Sequence, residues 1–347
     1  MKNANYIIIG QGLAGSILAW KFILAGRKVL VVDSAQNQTA SRVAAGLFNP
    51  LVFRWLTKSW LADELLPEMH ALYREMEEFF QEQFVFPYPI LKLLNEEKKA
   101  RWEKKRSKGK LSPFLGELIE TPPFPGLQNY PAFGYVNHGG YVRTDKLLSS
   151  IRNWLKSNNA FTEEEFKFDD LSIRDDSVRW KNIDAGQIVF CEGAMAFQNP
   201  LFPYVKYNLT GGDLLEVEIE NFQEEYILNK HLYLLPRGDN RYLCGSTYIH
   251  GRSNYQPTSE GQATIEEGLR KILKAPYKII EHRTAVRPTV KDRRPVLGKH
   301  PEYDQVSYFN GLGTKGVMLA PRFAREMYDL LEKDIAPLPE VRLNRFL

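Results

Sequence analysis

Cysteine and histidine are scarce in this chain: 347 residues contain two Cys and six His. Cys191 and Cys244 stand far apart, with no C-x-x-C neighbour, which excludes a disulfide framework, argues against a zinc site and suits a reducing, cytoplasmic compartment. The histidines are scattered, and neither a Ser-His-Asp arrangement nor a pair of acid–base carboxylates stands out. No run approaches the roughly 20 apolar residues of a membrane span. Lys2 followed by apolar residues imitates a secretory signal, but glycines interrupt the stretch, so it is expected to be a first strand. Internal repeats and low-complexity tracts are absent too.

A net excess of positive charge is confined to one segment. The formal net charge is +4, yet residues 95–110 hold eight Lys/Arg against three Glu, a local +5 that leaves −1 elsewhere. The segment reads as a solvated helix anchored by Trp102, or as a docking patch for RNA or an acidic partner. With 44% hydrophobic and 25% charged residues, the chain is expected to fold into two interleaved domains with substantial cores.

The most informative stretch is the opening one. Apolar Tyr6, Ile7, Ile8 and Ile9 lead into Gly10-Gln11-Gly12-Leu13-Ala14-Gly15. This G-x-G-x-x-G pattern is a dinucleotide-binding start. Gly10 permits a tight turn, Gly12 lets the backbone reach a pyrophosphate, and Gly15 lets the helix lie close on the strand. A helix follows up to Gly26, a C-cap, and a second apolar strand over residues 28–32 ends in Asp33, placed to accept hydrogen bonds from a ribose. Ser41, Arg42, Val43, Ala44, Ala45, Gly46 and Leu47 come where the chain returns toward the nucleotide, and their small side chains allow close approach.

Leu65, Met69, Leu72, Met76, Phe79 and Phe80 recur at helical spacing and predict a core-facing helix over residues 61–80. Thr144 and Asp145 look like the start of a helix running to residue 156. A short strand over 187–190 runs into Cys191, Glu192 and Gly193. Strands are expected over 214–219, 232–235, 242–245 and 306–309, with helices over 259–273 and 317–331. The expected division is a discontinuous nucleotide domain (1–83, 142–206 and 281–347) and a substrate domain (84–141 and 207–280).

A second glycine-rich turn, Gly311-Leu312-Gly313-Thr314-Lys315-Gly316, opens the last helix. Nicotinamide dehydrogenases have no general need for one. A flavin enzyme benefits from helix-terminal amides aimed at the pyrimidine edge of the ring, where negative charge accumulates on reduction. The alternative is a turn that serves only packing.

Here the chain resembles the FAD-dependent D-amino acid oxidase family, and glycine oxidase-like members most closely in its final third. Residues 10–15 with Asp33, 43–47, 188–193, 233–236, 287–298 and 311–321 carry the resemblance. Its most specific pieces are Val286-Arg287-Pro288-Thr289-Val290-Lys291-Asp292-Arg293-Arg294-Pro295-Val296-Leu297-Gly298 and Gly316-Val317-Met318-Leu319-Ala320-Pro321. The resemblance implies an α/β fold, in which a Rossmann-type FAD-binding domain is interleaved with an antiparallel-sheet α+β substrate domain.

By that resemblance Arg287 pairs two-pronged with a substrate carboxylate, Tyr233 contacts the same group and Tyr248 lines the pocket. Read from the residues alone, Arg287 is one arginine of a basic stretch, with a structural salt bridge as its alternative, and core packing is the alternative for both tyrosines. The FAD contacts fall on Gly10, Gly12, Leu13, Ala14, Gly15, Asp33, Ser41, Arg42, Ala44, Ala45, Gly46, Leu47, Cys191, Glu192, Gly193, Gly311, Gly313, Thr314, Lys315 and Gly316. The implied reaction is hydride transfer from the amine-bearing carbon to flavin N5, then imine hydrolysis, with no strong protein base. Relatives that bind FAD covalently use a C-terminal cysteine, which this chain lacks, so FAD is expected to be noncovalent. Lys315 departs from the glycine oxidase pattern and puts strict glycine specificity in doubt.

The expected partners are a small amine or amino acid and oxygen or another electron acceptor. Two other readings stand beside the oxidase. One is a tRNA-modifying flavoenzyme acting on a carboxymethylaminomethyl-uridine; the other is a flavin-binding module without catalysis.

Overall fold

A computed structural model describes residues 3–34, 39–107, 109, 111–222, 224–251 and 255–347. Lys2, Lys108 and Lys110, which entered the signal and charge readings, lie outside the described residues.

Five parallel strands form the centre of an eight-stranded sheet, in the order Phe161–Glu163, Val29–Asp33, Asn3–Ile9, Ile183–Phe190 and Val306–Asn310. Strands this apolar are buried on both faces. Ile8, Val31 and Val189 pack under helices Leu13–Leu24, Ala62–Phe80, Thr144–Ser157 and Gly316–Lys333. Ile7, Leu30 and Ile188 face the opposite cluster, with Phe202 and the antiparallel strands Leu171–Ile173 and Val178–Trp180.

The central strand Asn3–Ile9 is followed by a strand on one side, Val29–Asp33, and flanked on the other by Ile183–Phe190. The strands stay parallel, and the order in which they are added reverses about Asn3–Ile9. Ligands of open α/β sheets bind at such a switch point, outside the carboxyl ends of the strands.

The second layer is a nine-stranded sheet in which Thr210–Glu218, Tyr233–Gly238 and Arg241–Gly245 are central and antiparallel. Leu214, Leu235, Leu243 and Ala285 point to one face, against Val43, Ala45 and Leu47; Leu215, Leu234 and Cys244 point to the other, under helix Ser259–Arg270. The strand Lys278–Arg287 pairs with Thr210–Glu218 along its length, so the sequence division at residue 281 falls inside a strand.

The expected helix over 61–80 is observed as Ala62–Phe80, and Leu65, Met69, Leu72 and Met76 are buried. Phe79 is not in the core. It is 50% exposed in the last turn, where its ring meets Trp20 edge-on at 4.8 Å. The helix expected over 259–273 stops at Arg270. Helix Thr144–Ser157 starts where expected, but neither start residue caps it; Asp145 pairs with Arg143 at 2.9 Å.

The basic segment folds as helix Glu96–Ser107. Trp102 is wholly buried and donates to the Gly116 carbonyl at 3.3 Å, while Arg101, Lys104 and Arg106 stay exposed. Among the described residues no helix is long and apolar enough to cross a membrane.

Candidate cofactor and substrate site

The carboxyl ends of Asn3–Ile9 and Ile183–Phe190 meet at the glycine turn. Cys191 N donates to Ile9 O at 2.7 Å and Gly10 N to Val32 O at 2.8 Å. Gly10 has φ +102°, and a Cβ there would stand 2.5 Å from the Cys191 carbonyl oxygen. A Cβ at Gly15 would stand 2.0 Å from Gly10 O, so the helix lies directly on the strand. Gly12 differs: a Cβ there would meet only the Ser41 side chain, at 3.1 Å from Oγ. Leu13 N, at the start of the helix, donates to Ser41 Oγ at 3.2 Å, and Leu13 and Ala14 are buried beneath it.

Asp33 ends the neighbouring strand, and its Oδ2 accepts from Arg152 Nη2 at 2.6 Å. Burial pushes the Asp33 carboxyl up, against the opposing pull of the Gln11 backbone amide and Arg152. Gln11 is the hub of this corner. Its Oε1 accepts from Arg42 Nη2 at 2.9 Å and from Arg152 Nε at 2.8 Å, while its Nε2 donates to Ser16 Oγ and Leu148 O. Sequence reasoning missed both Gln11 and Arg152. A signal existed for Arg152, a guanidinium four residues after buried Leu148 on the apolar stripe of its helix.

Beyond Cys191, burial drives the Glu192 carboxyl up to about 7, and its Oε2 accepts from Asn199 Nδ2 at 2.7 Å. The Gly193 carbonyl accepts from Asn310 Nδ2 at 2.9 Å, tying this loop to the last parallel strand. Ala44 and Ala45 follow the short helix Ala40–Val43, the Gly46 carbonyl accepts from Val142 N at 2.9 Å, and Leu47 pairs with Tyr141.

The second glycine turn sits beside the first. Gly311 and Gly313 have φ +75° and +57°, and a Cβ on Gly316 would stand 3.3 Å from Leu13 Cδ1, so the N-termini of two helices adjoin. Their dipoles make one electropositive corner. Thr314 is exposed; Lys315 is largely buried, hydrogen-bonds Ser59 Oγ, and is lowered by burial to about 8.

On the facing sheet, Arg287 ends its strand and lies over Gly212, where a Cβ would stand 2.2 Å from Nη2. Its guanidinium donates only to neutral oxygens: Gly211 O at 3.2 Å, Thr247 O at 3.3 Å and Ser246 Oγ at 2.5 Å. Among the described residues it has no carboxylate partner. Arg283, by contrast, is neutralised by Glu216 at 2.5 Å and Glu281 at 3.0 Å, and Arg294 lies over the Trp60 ring at 4.0 Å. The Tyr248 ring, 60% exposed, covers Arg287 at 4.5 Å. Tyr233 pairs with Gly245, and the Arg287 charge opposes the burial that raises its hydroxyl. Gly212, Ser246 and Thr247 were missed from the sequence, because only the sheet brings them to Arg287. His300 is structural, hydrogen-bonded to Leu201 O at 3.0 Å.

A nucleotide turn and a second helix N-terminus thus adjoin, and an uncompensated guanidinium ends a strand of the other sheet. The family described as FAD dependent oxidoreductase matches residues 5–330. The chain belongs to that family. Glycine oxidase of Pseudomonas aeruginosa is 23% identical over an alignment of 373 residues, covering 98% of each chain. Among solved structures, glycine oxidase from Bacillus cereus superposes with a TM-score of 0.78 at 19% identity over 96% of each chain. Iminodiacetate oxidase from Chelativorans sp. BNC1 superposes with a TM-score of 0.82 at 20% identity over 98% of each. This protein is an FAD-dependent oxidoreductase with the fold of those oxidases. The residues present fit the cofactor: a Cβ at Gly12 would meet a side chain and no backbone, and two helix N-termini adjoin there.

Proposed function

We propose that the protein oxidises the carbon–nitrogen bond of a small amino acid or N-substituted glycine, giving an imine that water hydrolyses. The observation that carries this reading is the Arg287 guanidinium, whose donors reach only neutral oxygens and whose charge has no carboxylate partner among the described residues. A substrate carboxylate supplies the missing charge in two-pronged geometry.

The FAD-holding residues are the loop Gly10, Gly12, Leu13, Ala14 and Gly15, with Asp33 at the ribose and Ser41, Arg42 and residues 44–47 along the cofactor. Residues 191–193 and the turn at 311–316 complete the enclosure. Bound there, FAD supplies the two-electron acceptor for the carbon–hydrogen bond beside nitrogen. The chain's own task is positioning: Arg287 fixes the carboxylate, Tyr233 and Tyr248 bound the space around it, and the helix N-termini favour negative charge. No protein nucleophile is required. The strands around Asn3–Ile9 and their helices form the FAD-binding unit, and the nine-stranded sheet forms the substrate unit.

Cys191 and Cys244 are both buried and free, which supports noncovalent FAD. The test is anaerobic mixing of the yellow holoenzyme with glycine, sarcosine, D-alanine and D-proline, followed by flavin absorbance. Bleaching by at least one of them is expected, with release of intact FAD on denaturation. Bleaching by a simple amine lacking a carboxylate, and by none of these, would overturn the reading.

A further inference from the structure

Along the strand Tyr233–Gly238, Tyr233 and Leu235 face Val43, Ala45 and Tyr141. Arg237 continues on that face. Its Nη2 reaches Ala45 O at 3.4 Å and its guanidinium carbon stands 4.9 Å from the centre of the Tyr141 ring. Nη1 is buried without a hydrogen-bond partner. An unsatisfied buried donor on a cation is costly, so the Arg237 site favours a bound anion.

The nearby acids are committed elsewhere. Asp145 pairs with Arg143 at 2.9 Å, and Glu216 pairs with Arg283 at 2.5 Å and Arg241 at 3.4 Å. Arg42, which also lines the cavity, is held by the neutral Gln11 amide oxygen. These five arginines line a cavity of about 250 Å³, against three acidic residues of which Asp239 is exposed at the rim. The cavity is net positive, with five guanidinium groups against three carboxylates.

Arg237 and Arg287 flank Tyr233 on one sheet face, and both charges act on the Tyr233 hydroxyl against its burial. Tyr233 and Arg237 are four residues apart, which is roughly 13 Å along a strand. We infer that the cavity at Arg237 receives a second anionic group of the substrate, a distal carboxylate, so that the preferred substrate is an amine with a carboxylate at each end. This rests on the proposed role of Arg287, which would hold the carboxylate next to the reacting carbon.

The test uses the holoenzyme and redox-inert probes. Straight-chain dicarboxylates of three to nine carbons, each beside the monocarboxylate of equal length, are titrated against the flavin absorbance spectrum. In the wild type, dicarboxylates should bind at least tenfold tighter than matched monocarboxylates at an intermediate or long chain length, and show no such gain at three carbons. Arg237→Met should remove the gain without changing monocarboxylate affinity, and Arg237→Lys should restore part of it. A wild type with no length-dependent gain overturns the inference even if the Met variant fails to fold. So does a gain that survives Arg237→Met, or loss of FAD as that variant's only effect. Arg287→Ala should weaken both ligand series; if it weakens neither, the reading of Arg287 fails, independently of Arg237.

Discussion

Gly212 and Arg287 share one space: a methyl group on Gly212 would stand 2.2 Å from Nη2 and 2.5 Å from Nη1 of the guanidinium. What would have to move is the far end of a flexible side chain rather than backbone. Gly212→Ala should therefore fold with nearly unchanged melting temperature yet displace the guanidinium. Misplacing a binding group by about 1 Å costs up to roughly 100-fold in rate, so kcat/KM should fall by one to two orders of magnitude with FAD retained. A fully active Gly212→Ala enzyme would show that Arg287 does not need this position.

Asp33 and Arg152 meet across 119 residues of sequence, and Gln11 links both to Arg42. Loss of a charged hydrogen bond costs about 1.5 to 3 kcal/mol. Asp33→Ala should weaken FAD retention by that order while the remaining holoenzyme turns over nearly normally. Arg152→Ala should also loosen FAD, because it releases both Asp33 and Gln11. Equilibrium dialysis of the cofactor measures both, and normal retention with slow turnover would place Asp33 at the chemistry instead.

Glu192 gives a pH signature. Burial raises its carboxyl from the usual 4.5 to about 7, so between those values the folded chain holds a proton that the unfolded chain has released. Stability from this group is therefore present below about pH 4.5 and lost as pH rises through about 7. Glu192→Gln removes the dependence. The melting temperature of the Gln variant relative to wild type should rise from pH 4.5 to 7 and then level off; a difference that stays flat across this range would contradict the burial argument.

Local pattern carries much of the fold. The spacing of Gly10, Gly12 and Gly15 after an apolar strand marks the turn, and the apolar residues at 65, 69, 72 and 76 mark a helix, because both depend on neighbours within a few residues. Phe79 fits the same period yet is exposed, since periodicity cannot show where the packing surface ends. Gln11 and Arg152 stayed hidden for another reason. Gln11 meets Arg152, and Arg152 meets Asp33, across more than 100 residues, and a glutamine inside a glycine motif carries no separate signal. Gly212 and Ser246 become visible only when three strands align beneath Arg287.

The central claim is that Arg287 binds the substrate carboxylate, and the most direct measurement is the steady-state kinetics of Arg287→Ala with the best amine substrate. Removing one partner of a buried ion pair costs about 3 to 5 kcal/mol, so kcat/KM should fall by two to three orders of magnitude or more, with an unchanged flavin spectrum. Arg287→Lys should recover only part, since one ammonium cannot supply the two-pronged geometry. An Arg287→Ala enzyme with wild-type KM and kcat would contradict the account and point to a substrate without a carboxylate.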